Sequence, residues 1–254
     1  MAVPSIPTVH GVAPVFGLCS ASPFVVKLCT WLRMAQIPYH YAPLRSLPRS
    51  RTGKVPYLTF PDGRILEDSQ VIIETLAAER GIDPWAGLGA AERARGHALR
   101  RVAEDSLYWS LIWDRWLDAG WPLVRGEYFR VVPGLLRPLV AHQARRQVRA
   151  MVRGQGMGRR PRAEILDQAR QDLMCLADSL GDQDFFLGPP TVVDAALYGP
   201  LAQIRGASYG GGIQPLLAAH PRLLAFVDRV ADRWWSTEAS LLVDPAVAEA
   251  ATAV

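Results

Sequence analysis

The chain has 254 residues, half of them hydrophobic and 20% charged, with a net charge of +4. This length fits one large or two small domains, and the composition is close to that of an average soluble globular protein. A disordered chain is excluded by the apolar content, and a membrane bundle by the lack of any run near the roughly 18 apolar residues that a span needs. We expect a soluble cytoplasmic protein without a secretion signal.

Cysteine and histidine spacing gives no sign of metal chemistry. Cys19, Cys29 and Cys175 show no C-x-x-C pair and are odd in number, and the five histidines are scattered. We therefore predict reduced thiols, as in the cytosol, and no metal site.

Positive charge is concentrated in one segment. Between Tyr128 and Ala163 there are nine arginines and no acidic residue, so the rest of the chain carries a net charge of −5. Such a segment suits an anion, an acidic partner or a phosphate-bearing surface, or it is a solvated helix face. Nucleic acid is disfavoured, because no recognition motif or interleaved aromatic residues accompany the arginines.

The first third of the chain predicts alternating strands and helices. An apolar run at 14–18 predicts a strand, and Pro23 then starts a helix over 23–36 that Pro38 ends. Residues 39–44 predict a second strand, parallel to the first through a right-handed crossover.

A β-hairpin and a second helix follow. Strands are predicted at 55–60 and 64–66 around the turn Pro61-Asp62-Gly63, and Asp68 starts a helix that Gly81 ends. The order β-α-β-β-β-α predicts a thioredoxin-like domain over residues 1–83, with helices on a four-stranded mixed sheet.

The remaining residues, 84–254, predict an all-helical domain, so the fold class is α+β. Helical spacing of apolar residues predicts helices at 90–119, 128–154, 162–180, 192–204 and 221–234. The last eighteen residues, rich in Ala and Val, are typical of a weakly ordered tail.

Pro56 stands where a strand begins, directly after Lys54-Val55. Proline there loses a ladder hydrogen bond unless the backbone turns away, as it does at a cis peptide. A cis bond would leave the Val55 N–H and C=O free to pair with a peptide-like ligand, whereas a simple edge-strand proline would not imply a ligand.

Four short motifs span nearly the whole chain in order. They are Ser22-Pro23-Phe24, Lys54-Val55-Pro56, Glu67-Asp68-Ser69 and Thr191-Val192-Val193-Asp194. Together they resemble the tau-like serine opening, the cis-proline strand, the acid-serine helix start and the buried capping box of the cytosolic glutathione transferases. The resemblance implies glutathione as co-substrate, a homodimer and a detoxification role on apolar electrophiles.

Two further segments resemble the metaxin-like branch of that superfamily, which includes the failed axon connections proteins. They are residues 98–116, with Arg100-Arg101, Glu104 and Tyr108-Trp109, and residues 145–159, with Arg145-Arg146-Gln147-Val148-Arg149. Metaxins act in mitochondrial import, so the branch leaves two functions open: a transferase, or a non-catalytic binding or scaffold protein.

The resemblance implies that Ser22 is the catalytic residue. As N-cap of the first helix, its hydroxyl could donate to the glutathione sulfur while the positive helix end favours the thiolate; alternatively it is a plain cap. Ser22 and Val25 stand where a C-P-x-C motif has its cysteines, which excludes dithiol exchange there. Cys19 is a rival nucleophile or, more commonly, a buried structural thiol.

The other expected site residues fall into two groups. Those expected to bind glutathione are Ser20, Phe24, Arg51, Lys54, Val55, Pro56, Asp68 and Ser69. The glycine carboxylate would meet Lys54, Arg49 or Arg51, and the γ-glutamyl end would meet Asp68 and Ser69, unless these two merely cap a helix. Those expected to hold the electrophile are Arg100, Glu104, Tyr108 and Trp109.

The stripe Trp109, Trp113 and Trp116 falls on one helical face and is either core or pocket wall. We assign Thr191 and Asp194 to folding, because a Thr-x-x-Asp box satisfies the N–H groups of a buried helix start.

Overall fold

A computed structural model describes residues 6–44, 48–130 and 132–236. Its sheet has four strands, β1 (Thr8–Gly11), β2 (His40–Pro43), β3 (Tyr57–Thr59) and β4 (Ile65–Glu67), in the order β2-β1-β3-β4. β1 is parallel to β2 and antiparallel to β3, which is antiparallel to β4. The predicted α+β fold, a thioredoxin-like sheet domain followed by helices, is confirmed.

The predicted first strand at 14–18 is wrong. Val15 and Leu18 form only an isolated bridge, because Phe16 and Gly17 between them adopt positive φ angles of 55° and 72° and make a tight turn. The strand is Thr8–Gly11, in which buried and half-buried residues alternate. A side chain at Gly11 would collide with the Tyr41 hydroxyl, so glycine allows close packing at this strand end.

Two helices flank the sheet. α1 (Pro23–Met34) begins at Pro23 as predicted, and α2 (Ser69–Arg80) ends at Gly81, which is left-handed with φ 63°. α1 packs beside α2 and against the long helix α8 (Val192–Gly206), and its Val25 contacts the end of β1 at Gly11. A Cβ at Gly199 would lie 2.5 Å from the Pro23 carbonyl oxygen, so α8 approaches the start of α1 because this residue is glycine.

The other helices build the second domain. They are α3 (Ala90–Arg101), α4 (Tyr108–Leu117), α5 (Trp121–Glu127), α6 (Arg137–Gln155), α7 (Arg162–Leu180), α9 (Gln214–Ala218) and α10 (Pro221–Trp234). A π-helical segment, Val102–Leu107, joins α3 to α4, so the predicted helix 90–119 is nearly continuous. The predicted helix 128–154 starts late, at Arg137, because Pro133 and Gly134 interrupt it.

A buried ion pair joins the two domains. The Lys27 ammonium of α1 is 1% exposed and lies 2.6 Å from the carboxylate of Glu104 in the π-helical segment. Lys27 also donates to Gln70 of α2, and Glu104 contacts Arg100 and Arg101 as well. Burial lowers the pKa of Lys27, and the Glu104 carboxylate opposes that effect. Glu104 therefore has three cationic neighbours, whereas among the described residues Lys27 has one carboxylate in direct contact, Glu104, and a weaker attraction from Asp68.

The predicted capping box is present at the start of α8. Asp194 accepts from the Thr191 and Phe186 N–H groups, and the Thr191 hydroxyl accepts from the Val193 N–H. Within the described ranges, no helix has the length and apolar character needed to cross a bilayer. The predicted tail falls in residues 237–254, outside the described ranges.

Because Lys27 and Glu104 differ in their charged neighbours, replacing one should destabilise the protein more than replacing the other. Glu104→Gln should lower the free energy of unfolding by about 3 kcal/mol, because it removes the carboxylate that contacts the buried Lys27. Lys27→Met should cost less, about 1 kcal/mol, because Glu104 keeps two arginines and the methionine fills the stem's volume. Urea unfolding at pH 7 measures both variants; equal losses would contradict this account.

Candidate active site

A cleft of about 850 Å³ lies where the sheet domain meets the helical domain. Its wall on the sheet side includes Val12, Ser22, Phe24, Leu44, Pro48, Gly53, Lys54 and Val55. Its wall on the helical side consists of Glu104, Asp105, Tyr108, Trp109, Tyr128, Phe129, Val132, Val140 and Met151. The first group carries one hydroxyl, on Ser22, and one ammonium, on Lys54, among apolar residues, and the second is largely aromatic and apolar.

Ser22 is the N-cap of α1, but its side chain does not cap the helix. Its backbone is extended (φ −96°, ψ 121°), and its carbonyl oxygen accepts from the Val26 N–H. The hydroxyl makes no cap hydrogen bond and lies in the cleft wall. It is therefore available to a ligand at the positive end of a helix.

Side chains of the helical domain hold the loop before Ser22. Gln203 of α8 donates to the Ser20 carbonyl oxygen at 2.7 Å, and Arg115 of α4 reaches the Ala21 carbonyl oxygen at 3.4 Å. Arg115, 1% exposed, also donates to the Gln203 carbonyl oxygen and to the Tyr128 hydroxyl, both at 3.0 Å. Two domains thus fix the position of Ser22.

Sequence reasoning missed Gln203, although a signal was available. It is a lone amide in the predicted apolar helix 192–204, and a polar residue there must find a buried partner.

Two other residues near Ser22 do not face the cleft. Ser20 is fully buried, donates to the Val12 carbonyl oxygen at 2.9 Å and accepts from the Ser22 N–H at 3.3 Å, so it supports the loop. A hydrogen bond with Cys29 and burial together raise the pKa of the Cys19 thiol well above its usual range. A thiolate nucleophile at Cys19 is therefore disfavoured.

The Val55-Pro56 peptide bond is cis. Across the described ranges, the Val55 N–H and C=O have no hydrogen-bond partner, and Val55 lies in the cleft wall beside Lys54. The cleft thus presents one free backbone donor and one free acceptor to a bound molecule.

The predicted cations occupy different places. Lys54 lines the cleft, and its backbone is held by the Ser50 hydroxyl, which accepts from the Lys54 N–H at 2.9 Å. Arg51 is exposed, its N–H donates to the Glu67 carboxylate, and neither it nor Arg49 belongs to the cleft wall.

A second, smaller cleft of about 330 Å³ adjoins the first and shares Phe24, Glu104 and Asp105 with it. Asp68 and Ser69 line it, together with Arg100. One oxygen of Asp68, Oδ1, caps α2 by accepting from the Gln70 and Val71 N–H groups at 2.8 and 3.2 Å. Asp68 has a positive φ of 70°, a conformation that often marks functional positions.

The four residues expected to hold the electrophile are divided between the clefts. Tyr108 and Trp109 line the large cleft, Glu104 lines both, and Arg100 lines only the small cleft. Tyr108 packs edge-on against Phe24 with ring centres 4.9 Å apart, and burial raises its pKa.

The rest of the tryptophan stripe is half-buried and packs on a core cluster. Trp113 and Trp116 pack against a buried cluster that includes Ile112 and Val152. The sequence did not predict three of the cleft residues, namely Tyr128, Phe129 and Met151. They lie in the segment from Tyr128 to Ala163, whose most evident feature is its arginines.

Loss of the Gln203 amide should weaken the fold at this loop. Gln203→Met leaves the buried Ser20 carbonyl without its donor, which costs about 1 to 2 kcal/mol of unfolding free energy. Gln147→Met on the exposed face of α6 is the matched control and should change it by less than about 0.5 kcal/mol. The two variants are compared by urea unfolding, and equal effects would show that the bond to Ser20 contributes nothing.

Comparison with known proteins identifies the family. A family model for the glutathione S-transferase N-terminal domain matches residues 23–121, and one for the C-terminal domain matches residues 169–230. The first match continues past residue 83, so the boundary placed there stays a prediction.

Two curated relatives and a solved structure agree with these matches. The isoprene-epoxide–glutathione S-transferase of a Rhodococcus species is 33% identical over 88% of this chain and 97% of its own. Failed axon connections of Drosophila melanogaster is 27% identical over 74% of this chain, which spans about half of that longer protein (47%).

A glutathione transferase family member from Pseudomonas fluorescens, solved with two glutathione molecules bound, has a TM-score of 0.56 at 16% identity, covering 94% of this chain and 92% of its own. The similarity to Failed axon connections also confirms the predicted likeness to the metaxin-like branch. This chain therefore belongs to the glutathione S-transferase family.

Proposed function

We propose that the protein is a transferase that joins the thiolate of glutathione to an electrophilic, largely apolar small molecule. The observation that carries the proposal is the Ser22 hydroxyl, which is free of any capping bond at the start of α1 and lies in the same cleft as Lys54 and the unpaired Val55 backbone.

Ser22 would act on the protonation state of the thiol. A free thiol of this kind has a pKa of about 8.5, so only a few per cent is thiolate at neutral pH. A hydrogen bond from the Ser22 hydroxyl to the sulfur, added to the positive end of α1, stabilises the anion. Lowering the pKa by about two units needs about 2.7 kcal/mol, which these two effects together can supply.

The remaining groups fit the other parts of glutathione. The Val55 N–H and C=O would pair with the cysteinyl backbone of the tripeptide, and Lys54 would meet the glycine carboxylate. The γ-glutamyl end would enter the small cleft, where Asp68 Oδ2 is not used in capping and can accept from the ammonium group. Aspartate is shorter than the glutamate usual at this position, so the ammonium must come closer to α2.

The helical wall would receive the second substrate. Its aromatic and apolar side chains favour an apolar molecule, and a small ligand can contact Tyr108 and Trp109 while it faces Ser22 across the cleft. The name of the Rhodococcus relative, a transferase for an isoprene epoxide, supports a small electrophile of this kind. We further propose a cytoplasmic homodimer, which rests on the resemblance to the family.

Removal of the hydroxyl tests the proposal directly. Ser22→Ala should lower turnover of a generic aryl halide about 10- to 100-fold at pH 7, because the bound thiol returns towards its free pKa. Retention on immobilised glutathione should persist, and the thiolate absorbance of bound glutathione should appear at higher pH. Ser22→Thr, which keeps a hydroxyl, should retain most of the activity.

Each other outcome has a definite meaning. Unchanged turnover in Ser22→Ala would contradict the role of Ser22, and failure of the wild type to bind glutathione would contradict the whole site. Binding without turnover in the wild type would favour the second candidate, a non-catalytic binding or scaffold protein, which the similarity to Failed axon connections supports.

The assignment of Lys54 is tested by a truncated ligand. Lys54→Gln should weaken glutathione binding about 3- to 10-fold, because one charge-assisted hydrogen bond at an exposed site is lost. It should leave the binding of γ-glutamylcysteine, which lacks the glycine carboxylate, unchanged. Arg51→Gln is the matched control and should affect neither ligand. Calorimetric titration measures the affinity of the wild type and of each variant for each ligand. Equal weakening of the binding of both ligands in Lys54→Gln would contradict the assignment.

A further inference from the structure

A separate cleft of about 600 Å³ lies between α5 and α6. Its lining consists of Trp121, Arg125, Gly126, Gly134, Arg137, Pro138, Ala141, His142 and Arg145. Three of these residues are arginines, and none of this described lining is acidic. We call it the arginine cleft.

The guanidinium of Arg145 is held in place by neutral partners. Its Nε donates to the Trp116 carbonyl oxygen at 2.9 Å, and its guanidinium carbon lies 4.6 Å from the centre of the Trp121 ring. Burial and the nearby charge of Arg149 both lower its pKa. The side chain is thus ordered by a carbonyl and an aromatic face, and no acid among the described residues pairs with its positive charge.

Arg137 is ordered in the same way. Its guanidinium donates to the carbonyl oxygens of Arg130 and Val132 at 3.2 and 3.3 Å. The third arginine, Arg125, is exposed at the edge of the cleft, where the described residues offer it no hydrogen bond or ion pair. Three guanidinium groups therefore share one concave surface to which the described part of the chain contributes no carboxylate.

Three other arginines of the basic segment are compensated by acids. Arg130 pairs with Glu127, Arg160 with Glu164, and Arg162 with Asp118 at 3.0 Å. The cleft arginines differ from these three because their partners are backbone carbonyls, which orient a guanidinium without neutralising it. Arg159, outside the cleft, is bound to the Arg153 carbonyl oxygen in the same way, so the cleft is distinguished by bringing oriented arginines together on one concave surface. A solvated helix face explains the paired arginines, but it does not explain two oriented and unneutralised ones in a cavity.

Helix α6 separates the arginine cleft from the Ser22 cleft. Val140 and Met151 line the Ser22 cleft, whereas Ala141 and Arg145 line the arginine cleft. A ligand in one cleft would therefore not occupy the other.

We propose that the arginine cleft binds a phosphate group that carries at least two negative charges. The planar guanidinium fork matches the geometry of phosphate oxygens, and pre-ordered forks lose little entropy on binding. Three leucines beside Arg137, namely Leu135, Leu136 and Leu139, are 98%, 54% and 67% exposed. They offer apolar contacts to a phosphate that belongs to a lipid, whereas a soluble phosphate compound would use the cavity alone.

The experiment compares two double variants of the full chain. Arg137→Gln with Arg145→Gln removes the oriented arginines, and Arg146→Gln with Arg153→Gln removes the same charge from exposed positions of α6 outside the cleft. The soluble probe is inorganic pyrophosphate, titrated by calorimetry at low salt. The lipid probe is a phosphatidylcholine vesicle with or without phosphatidic acid, tested by co-sedimentation.

We expect the cleft variant to bind about tenfold more weakly than the wild type, and the control variant to change much less. Binding of pyrophosphate would identify a soluble phosphate ligand, and binding only to vesicles with phosphatidic acid would identify a lipid head group; either supports the proposal. The proposal would be overturned if the wild type bound neither probe, or if binding were weakened equally in the two variants. If the cleft variant does not fold, it is replaced by Arg125→Glu, at the exposed edge of the cleft. The same loss of binding is expected for that variant.

Discussion

The candidate site depends on the contact between the start of α1 and helix α8. Gly199 lets α8 approach the Pro23 carbonyl, and from that distance Gln203 reaches the carbonyl oxygen of Ser20. Arg115 adds a second bond to the same loop at Ala21 and is itself bonded to Gln203. The hydroxyl of Ser22 is therefore supplied by one domain and positioned by the other, which is how a reactive group on a loop acquires a fixed location.

Charge in this protein is compensated in some places and not in others. Lys27 and Glu104 are buried together, and the carboxylate is surrounded by further cations. On the surface, some arginines of the α6 region are paired with acids and others are bound to backbone carbonyls. The ion pair of Lys27 and Glu104 joins the two domains, and the carbonyl-bound arginines leave a local positive field on one side of the molecule.

Much of this architecture could be predicted from the sequence because its signals are local. Pro23, Gly81 and the Thr191 to Asp194 box marked helix ends that the structure reproduces. The first strand was misplaced because the apolar run at 14–18 contains a turn that needs positive φ at Phe16, which no local signal shows. Thr8–Gly11 has only four residues, too few for its alternation to stand out.

The site itself was predictable in part, and the reason is again how far apart in the sequence the contacting residues lie. Ser22, Lys54, Val55 and Tyr108 follow from short motifs and meet in one cleft. Ser20 is buried behind the loop and Arg100 lines only the small cleft, since only tertiary packing decides which way a side chain beside a motif points. The roles of Gln203 and Arg115 involve contacts over more than 80 positions in the chain, as between Gln203 and Ser20.

The two-domain support of the Ser22 loop limits how this chain can be divided or recombined. A fragment that ends after α2 would still contain Ser22, but it would lack both side chains that orient the loop and would expose Lys27 without its counter-charge. Chimeras that exchange the sheet domain with that of a relative would need the matching α4 and α8 surfaces as well. In this chain the unit that can be inherited or engineered as a working site is thus the pair of domains.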